Sequence, residues 1–573
     1  MRFVIGIVLL LSSLLPAPGL ALAQDEGLDK LDEATSLKSS ADNPAKLAKV
    51  IELCEAAIKA GLDDDNLQLA KEILADAALQ RAKILLQGMP RIANNPQRLQ
   101  QLRTQIVNDV EKAIKHNPKS AEAHLLLARL QTLPGGDADK AIASIEAAIG
   151  LLKNKPKELA LAYVLRAGVQ PEIDDKLVDL QKAIETDPTN MDAWQARIVL
   201  LLGTQKFEQA YQDVERLLKR DDSNAFALTA AFESLFQLKR YDDIVKLLSP
   251  KIEATPDKGV LYRMRGHAYL MLSSGNQTEP AQKKSATEEE LEAKAKVDLD
   301  KALELNNQDA QAMLIRGEYY YDRGEVEKAN KDVNEALSIE PGLVRGVLMR
   351  SMIAAREKRY SDAINDLELV VQANPTNEEI VLQLAQYYQL DNRPRLAIRA
   401  LDALLKMNAG NWRALRMRGD ARLSIGEHLI AIGDYKKAVT AIQKVTKKTA
   451  SELDDEIGLL NNLAWVLATS PKDEIRDGKR SLELGLKACE LSEYKEAHIL
   501  STLAAGYAET GNFDEAIKWS AKAVEIGAQE ENEQLKQLKD ELESYKEKKP
   551  WREVQEVQEN KKPLGAAKDT VET

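Results

Sequence analysis

Apolar residues recur through most of this chain at intervals of three, four and seven positions, which is the spacing of one face of an α-helix. Ala, Leu, Glu, Lys and Gln are abundant, and no stretch shows the apolar–polar alternation that predicts a β-strand. Asn-Pro, Asp-Pro and Glu-Pro pairs divide the pattern into two-helix blocks, because the residue before a proline disfavours the helical conformation. The pattern therefore predicts an all-α protein made of helical hairpins.

The blocks share a fixed period of 34 residues. One block carries its marker residues at Gly317, Tyr320, Gly324, Ala329 and Pro341. Small residues at the first and fourth of these positions let two helices approach closely, and the middle glycine suits a turn with positive φ. The next block has the same positions at Ser351, Ala354, Lys358, Ala363 and Pro375, and a C-terminal block repeats the pattern at Ala504, Tyr507, Gly511 and Ala516.

This period and these positions resemble the tetratricopeptide repeat (TPR) family, in particular exported bacterial proteins built as TPR arrays. The resemblance implies a right-handed α-α superhelix, a TPR solenoid of about ten or eleven helical hairpins, whose first helices line a concave face. We expect a regular TPR array over residues 189–453, with an insertion at about 273–290. The remaining segments are expected to be a signal peptide at 1–23, an N-terminal linker at 24–41, divergent TPR-like hairpins at 42–188, C-terminal TPR hairpins at 454–528, a capping helix at 529–549 and a disordered tail at 550–573.

Export is predicted from the first 23 residues. Arg2 precedes an almost wholly apolar run, and the sequence Ala21-Leu22-Ala23 ends it, as in a cleavable Sec signal peptide. We expect cleavage near Ala23-Gln24 and a periplasmic or secreted protein with no stable membrane insertion after cleavage. A retained N-terminal anchor is the alternative, although the run is short for a membrane span.

One pairing of charges recurs inside the repeats. Several first helices carry an arginine just before the small position, and the matching second helices carry an aspartate four residues before their second alanine-type position. Repeats without the arginine also lack the aspartate, as Ala231 with Leu247 shows. Because burying either charge alone is costly, we predict an intra-repeat ion pair, with shared ancestry of the units as the rival explanation. The predicted pairs are Arg166 with Asp179, Arg197 with Asp213, Arg265 with Asp298, Arg316 with Asp332, Arg350 with Asp366, and Arg418 with Asp434.

Catalytic chemistry is not predicted. The sequence contains no phosphate-binding loop, zinc-protease helix or serine-hydrolase elbow, and its five histidines are scattered without metal-ligand spacing. The repeats also leave no stretch of about 100 residues for a catalytic domain. We therefore expect no enzyme activity, no catalytic or metal-binding residue and no cofactor.

Two further features narrow the class of protein. A net charge of −12 argues against nucleic-acid binding, which needs a concentrated basic face. Cys54 and Cys489 lie near opposite ends of the chain, each on an apolar helical pattern. We expect both to be buried in the core, with an intermolecular disulfide as the alternative.

The predicted function is a protein–protein interaction scaffold that binds a peptide or protein segment in its concave groove outside the cytoplasm. A structural component of an envelope assembly or export complex is the alternative, and the oligomeric state stays open. Four arginines in the groove could attract an acidic partner, although a solvated face without ligand preference would look the same in sequence. By resemblance, the groove residues are Arg263, His267, Tyr321, Arg345, Met352, Gln386, Arg413, Arg416 and Asp420.

Overall fold

The computed structural model describes residues 18–92, 94–255, 257–274, 285–529, 534–553 and 559–560. Within these ranges every regular element is helical, with 27 α-helices and three short 3₁₀ helices. The prediction of an all-α solenoid is therefore confirmed. Residues 1–17 of the predicted signal peptide, the centre of the insertion at 275–284 and the end of the tail at 561–573 lie outside the described residues.

The chain divides into two compact units, the first ending at Asp257 and the second beginning at Lys258. The first unit stacks six antiparallel hairpins, formed by consecutive helix pairs. Its helices are α1 (Pro18–Lys38), α2 (Pro44–Ala60), α3 (Asp64–Gly88), α4 (Pro96–His116), α5 (Ala121–Thr132), α6 (Ala138–Leu151), α7 (Pro156–Val169), α8 (Ile173–Thr186), α9 (Met191–Gly203), α10 (Phe207–Leu218), α11 (Ala225–Gln237) and α12 (Tyr241–Leu248). Short 3₁₀ helices follow α3 at Met89–Ile92 and α12 at Ile252–Ala254.

The second unit stacks seven further hairpins and ends in a single helix. Its helices are α13 (Lys258–Ser274), α14 (Ala286–Leu305), α15 (Ala310–Asp322), α16 (Val326–Ile339), α17 (Val344–Arg356), α18 (Tyr360–Ala373), α19 (Glu378–Leu390), α20 (Pro394–Met407), α21 (Trp412–Ser424), α22 (His428–Ile442), α23 (Ala450–Thr469), α24 (Gly478–Leu491), α25 (Ala497–Glu509), α26 (Phe513–Gln529) and α27 (Leu535–Lys546). A 3₁₀ helix at Asp473–Ile475 connects α23 to α24. The described residues thus hold thirteen hairpins, more than the ten or eleven predicted.

The period of the sequence reappears in the backbone. Gly324, Lys358, Asn392 and Gly426 are spaced 34 residues apart, and all four adopt positive φ between 57° and 80° in the turn within a hairpin. The turn conformation is kept even where a lysine or an asparagine replaces the glycine, because stacking of the flanking helices fixes the path of the chain. At the small position of the first helix, a Cβ on Gly419 would lie 2.7 Å from the ring of Tyr435.

Two predicted segments differ from expectation. The expected linker at 24–41 lies mostly in α1, which buries Leu31 and Ala34 because its apolar residues follow helical spacing. The expected disordered tail at 550–573 is ordered in its described part. The backbone N–H of Glu553 donates to the carbonyl of Thr469 at 3.0 Å, and that of Asn560 donates to the carbonyl of Asn392 at 2.8 Å.

Successive first helices also contact one another within each unit, as α7 and α9 do in the first and α13 and α15 in the second. We call the stacked first helices of each unit its inner layer, after the concave face that the TPR resemblance implies. Among the described helices, none combines the length and the apolar character that crossing a membrane requires.

Candidate functional site on the first helices

The six predicted arginine–aspartate pairs all lie in contact between the two helices of one hairpin. Each carboxylate is at most 4% exposed. Arg197 contacts Asp213 through one guanidinium nitrogen. The other five pairs have nitrogen–oxygen distances of 2.6 Å for Arg166–Asp179, 2.7 Å for Arg265–Asp298, 2.7 Å for Arg316–Asp332, 2.7 Å for Arg350–Asp366 and 2.6 Å for Arg418–Asp434.

The geometry of these pairs is mostly bidentate. Arg166, for example, donates from Nε and from a terminal nitrogen to the two oxygens of Asp179, at 2.8 and 2.6 Å. This hydrogen bonding to Asp179 raises the pKa of Arg166. Asp213 has the weaker arrangement, and burial raises the pKa of its carboxyl despite the charges of Arg197 and Arg216. Because the pairs lie between helices, they hold hairpins together and do not face a ligand.

The sequence prediction missed a seventh pair in the divergent region. Arg81 on α3 donates to Asp109 on α4, with Nε and Oδ2 2.7 Å apart, and Asp109 is 1% exposed. The local signal was present, because Arg81 precedes a small residue and Asp109 lies four residues before Ala113. The two residues lie 28 positions apart, against 16 in four of the predicted pairs, so Asp109 falls outside the register of the 34-residue repeat.

Some arginines of these arginine–aspartate pairs also contact the neighbouring hairpin. Arg316 donates to Asp300 on α14 at 2.8 Å, and Arg418 donates to Asp402 on α20 at 2.6 Å. These second contacts join consecutive hairpins as well as the helices of one hairpin.

The residues predicted to line the groove lie on the first helices α13, α15, α17, α19 and α21. Arg345, Met352, Gln386 and Arg413 are exposed there. Arg263, Tyr321, Arg416 and Asp420 are partly buried. His267 is buried, and burial, followed by the charges of Arg345 and Arg263, lowers its pKa to about 3. His267 is therefore a neutral residue, and it lines a small cavity of about 280 Å³.

The four groove arginines do not form a free basic surface. Each one pairs with a carboxylate of an adjacent hairpin, so the pairs join successive first helices. They are Arg263 with Asp309 at 3.2 Å, Arg345 with Glu318 at 2.6 Å, Arg413 with Asp455 at 3.1 Å and Arg416 with Asp455 at 3.4 Å. Local carboxylates already match these guanidinium groups, so the arginines by themselves do not favour an acidic partner.

A larger cavity lies at the C-terminal end of the same inner layer. Its volume is about 880 Å³. The first helices α21, α23 and α25 form its walls, Tyr435 of α22 contributes to the lining, and α27 and Glu553 close it. Of the predicted groove residues, only Asp420 lines this cavity. Sequence reasoning missed the rest, because they come from helices far apart in the chain.

The cavity contains three carboxyl groups held by neutral donors. Asp420 accepts hydrogen bonds from the Tyr435 hydroxyl at 2.6 Å and from the Asn462 amide at 3.1 Å. Burial, opposed in part by these bonds and by Arg416, raises the pKa of Asp420.

Glu541 is 0% exposed, and it accepts hydrogen bonds from Ser501 at 2.5 Å and from Gln537 at 2.9 Å. Burial is again the main cause that raises the pKa of this carboxyl.

The third carboxyl belongs to the C-terminal strap, which we define as residues 550–553. Glu553 accepts a hydrogen bond from the Trp465 indole at 2.8 Å. Arg552 forms an ion pair with Glu509 at 2.6 Å and donates to the carbonyl of Ala468 at 3.3 Å. The strap is thereby fixed across α23 and α25, and it places Glu553 at the cavity.

The described part of the chain offers neither a metal-binding site nor a reactive thiol. It contains no group of three His, Cys, Asp or Glu side chains arranged to hold a metal ion. Both cysteines are free and buried. Burial raises the thiol pKa of Cys54 to about 11 and that of Cys489 to about 12, so neither thiol is activated as a nucleophile.

The fold and the inner face define a helical-repeat protein of the kind that generally binds other proteins. Residues 354–419 match the family model described as tetratricopeptide repeat. The chain thus carries tetratricopeptide repeats, which is consistent with a protein-interaction scaffold, and the TPR fold is generally non-catalytic.

Curated relatives and solved structures extend the comparison. Human DnaJ homolog subfamily C member 3 is 24% identical over 337 residues, an alignment that covers 50% of this chain and 66% of that protein. The chain thus spans slightly less than two thirds of that relative's length. Type IV pilus assembly protein PilF of Pseudomonas aeruginosa is 30% identical over 134 residues, covering 23% of this chain and 50% of PilF. The P58(IPK) TPR domain structure is 19% identical, covers 75% of this chain and 98% of that domain, and has a TM-score of 0.27.

Proposed function

We propose that this protein is a non-catalytic scaffold that acts outside the cytoplasm and binds a peptide or protein segment along its first helices. The proposal rests on the inner layer of first helices. Met352 on α17 is 38% exposed, and Gln386 on α19 and Arg413 on α21 are exposed as well. Side chains that remain accessible on consecutive stacked helices provide the extended surface by which repeat proteins bind partners.

Partner charge is not set by the arginines of this surface. Their carboxylate neighbours cancel the local excess of positive charge, as Arg345 and Glu318 show. We therefore propose a partner recognised by shape, apolar contact and hydrogen bonding along the first helices.

Location outside the cytoplasm is supported by the sequence alone. Arg2, the apolar run from Phe3 to Leu15 and the small residues Ala21 and Ala23 follow the order of a Sec signal peptide. Expression of the full chain in a bacterial host, followed by fractionation and N-terminal sequencing, tests this part. A mature N-terminus near Gln24 in the periplasm or medium supports it, and an uncut cytoplasmic chain contradicts it.

A structural role in an envelope assembly is a second candidate. The similarity to PilF, whose name describes pilus assembly, favours it over other structural roles. Sedimentation of the purified protein separates the two: self-association into large species indicates an assembly component, whereas a discrete species that binds a separate partner indicates a scaffold.

The groove is tested by matched substitutions on the two helices of one hairpin. Met352→Glu places a charge on the first helix α17, and Leu369→Glu places the same charge on the second helix α18, where Leu369 is 52% exposed. Affinity purification from envelope extracts with both variants should lose a defined partner only with Met352→Glu. Equal retention, or loss with both variants, contradicts binding along the first helices.

A further inference from the structure

The C-terminal cavity differs from the rest of the inner layer in the charge of its walls. Asp420, Glu541 and Glu553 line it, and no lysine or arginine is found among its described lining residues. Elsewhere in this chain, buried acids such as Asp179 and Asp332 each meet a guanidinium group. The three carboxyl groups of this cavity therefore lack the guanidinium partner that the hairpin aspartates have.

The hydrogen bonds around the cavity leave acceptors in excess. Glu541 is met by a hydroxyl and an amide, and Glu553 by an indole, all of them neutral donors. Arg416 is the nearest cation that affects Asp420, but its guanidinium pairs with Asp455 at 3.4 Å. The cavity thus offers carboxylate oxygens whose charge no group in its described lining balances.

An independent observation comes from an amide on α23. Asn461 lines the cavity and is 8% exposed, and its Oδ1 has no hydrogen-bond partner in the described structure. A buried carbonyl oxygen without a donor costs free energy, and a hydrogen-bond donor placed in the cavity would remove that cost. This Asn461 oxygen lies on the same helix, α23, as Asn462, which donates to Asp420.

We propose that this cavity binds a primary ammonium group, of the kind carried by a lysine side chain in a partner segment or by a free diamine. An ammonium group has three donors and no acceptor, which fits a cavity lined by carboxyl groups and an unpartnered amide oxygen. The cavity of about 880 Å³ has room for a lysine side chain and the peptide that carries it. The lysine source rests on the proposed scaffold function, whereas the diamine source does not.

Binding of an ammonium group would also offset the free-energy cost of burying these carboxylates. Burial raises the pKa of Asp420 and of Glu541, so each carboxylate is less stable in the fold than in water. The groups that face them are Tyr435, Asn462 and Arg416 around Asp420, and Ser501, Gln537, Asp540 and Glu553 around Glu541. A bound cation would lower both pKa values.

The test is calorimetric titration of the full chain at low and high salt with three probes. These are 1,5-diaminopentane, the capped peptide Ala-Ala-Lys-Ala-Ala and the same peptide with the lysine Nε-acetylated. We expect saturable binding of the first two, no binding of the acetylated peptide, and weaker binding at high salt. Glu541→Gln and Asp420→Asn should each weaken binding by about tenfold or more, because each removes a carboxyl group whose negative charge would attract the ammonium group.

Glu543→Gln is the matched control on α27. Glu543 is exposed and pairs with Lys546, and it does not line the cavity. Binding should be unchanged in this variant. Glu541→Gln keeps an oxygen to accept from Gln537 and an amide to meet Ser501, so its fold should persist, and a melting curve checks this.

The outcomes separate the ammonium site from the scaffold function. Binding of the diamine but not of the lysine peptide supports the site and counts against a lysine-bearing partner segment. Equal binding of the acetylated and free lysine peptides overturns the proposal, as does equal binding by Glu541→Gln and Glu543→Gln. Absence of binding by both amine probes overturns it too, whatever partner the first helices capture elsewhere.

Discussion

Two groups of buried acids in this protein have opposite surroundings. The aspartates inside the hairpins, such as Asp179 and Asp434, are each 2% exposed and each receive a guanidinium group from the facing helix. Glu541 in the C-terminal cavity is equally buried, but only neutral donors reach it. The same chemical group thus stabilises a hairpin in one region and carries an uncompensated cost in the other.

This difference shows how buried charges that stabilise the stack can be distinguished from buried charges that are available to bind a ligand. A buried ion pair shared by six or more units belongs to the stacking of the helices, since its charge is satisfied within the unit. Glu541, which meets only neutral donors among the described residues, lies where the first helices meet the strap and α27. In this chain the unmatched charges lie where the repeat pattern ends.

The largest effect is expected from removing one member of a hairpin pair. Asp179→Ala leaves the guanidinium of Arg166 buried without its carboxylate and should lower the free energy of unfolding by about 3–5 kcal/mol. Asp175→Ala, on the same helix α8 but exposed, should cost less than about 1 kcal/mol. Urea unfolding of both variants checks this, and equal losses would show that the pair adds nothing beyond helix propensity.

Replacing both members should recover most of that loss. In Arg166→Met with Asp179→Leu no charge remains buried, and apolar contacts fill the space between α7 and α8. We expect the free energy of unfolding to return to within about 1 kcal/mol of the original chain or to exceed it. A double variant as unstable as Asp179→Ala would mean that the ion pair is needed for hairpin packing itself.

The buried carboxyl of Asp420 should make the stability of the fold depend on pH. Because the pKa of Asp420 is raised in the fold, its ionised form opposes folding above that pKa, and stability is regained as pH falls toward the ordinary value of about 4. Asp420→Asn should therefore be more stable than the original chain at neutral pH, and the difference should shrink as the solution is acidified. A difference that grows on acidification would show that the carboxylate is stabilised in the fold.

A smaller and local effect is expected at the strap. Trp465→Phe removes the indole donor to Glu553, a hydrogen bond to a charged group that contributes about 1.5–3 kcal/mol. Trypsin cleavage after Arg552 should become about tenfold faster, while the melting temperature of the array changes little. Trp519→Phe, whose indole donates within its own helix to Glu515, is the control and should leave cleavage unchanged.

Much of the architecture could be predicted because the same residue types recur at the same positions of successive repeats. The hairpin pairs were visible because an arginine such as Arg350 and an aspartate such as Asp366 vary together from unit to unit. The helix α1 was missed because its sequence lacks the marker residues of the 34-residue repeat, although Leu31 and Ala34 follow helical spacing.

The groove chemistry could not be predicted in the same way. Arg345 was identified on the correct helix, but its partner Glu318 lies 27 residues earlier on the preceding first helix and follows no repeated spacing. The cavity depends on Asp420, Glu541 and Glu553, which only the stacking of the last hairpins and the return of the strap bring together. A contact that tertiary packing forms at only one place leaves no repeated pattern in the sequence.

The most direct test of this comparison is the sign of one stability change. The free energy of unfolding of Glu541→Gln, measured by urea unfolding at neutral pH without amines, should be higher than that of the original chain, because a buried charge without a cation has been removed. Asp179→Ala measured alongside should be lower. If Glu541→Gln instead lowers the free energy of unfolding as Asp179→Ala does, the cavity carboxyl is satisfied within the fold and the distinction between the two groups of acids fails.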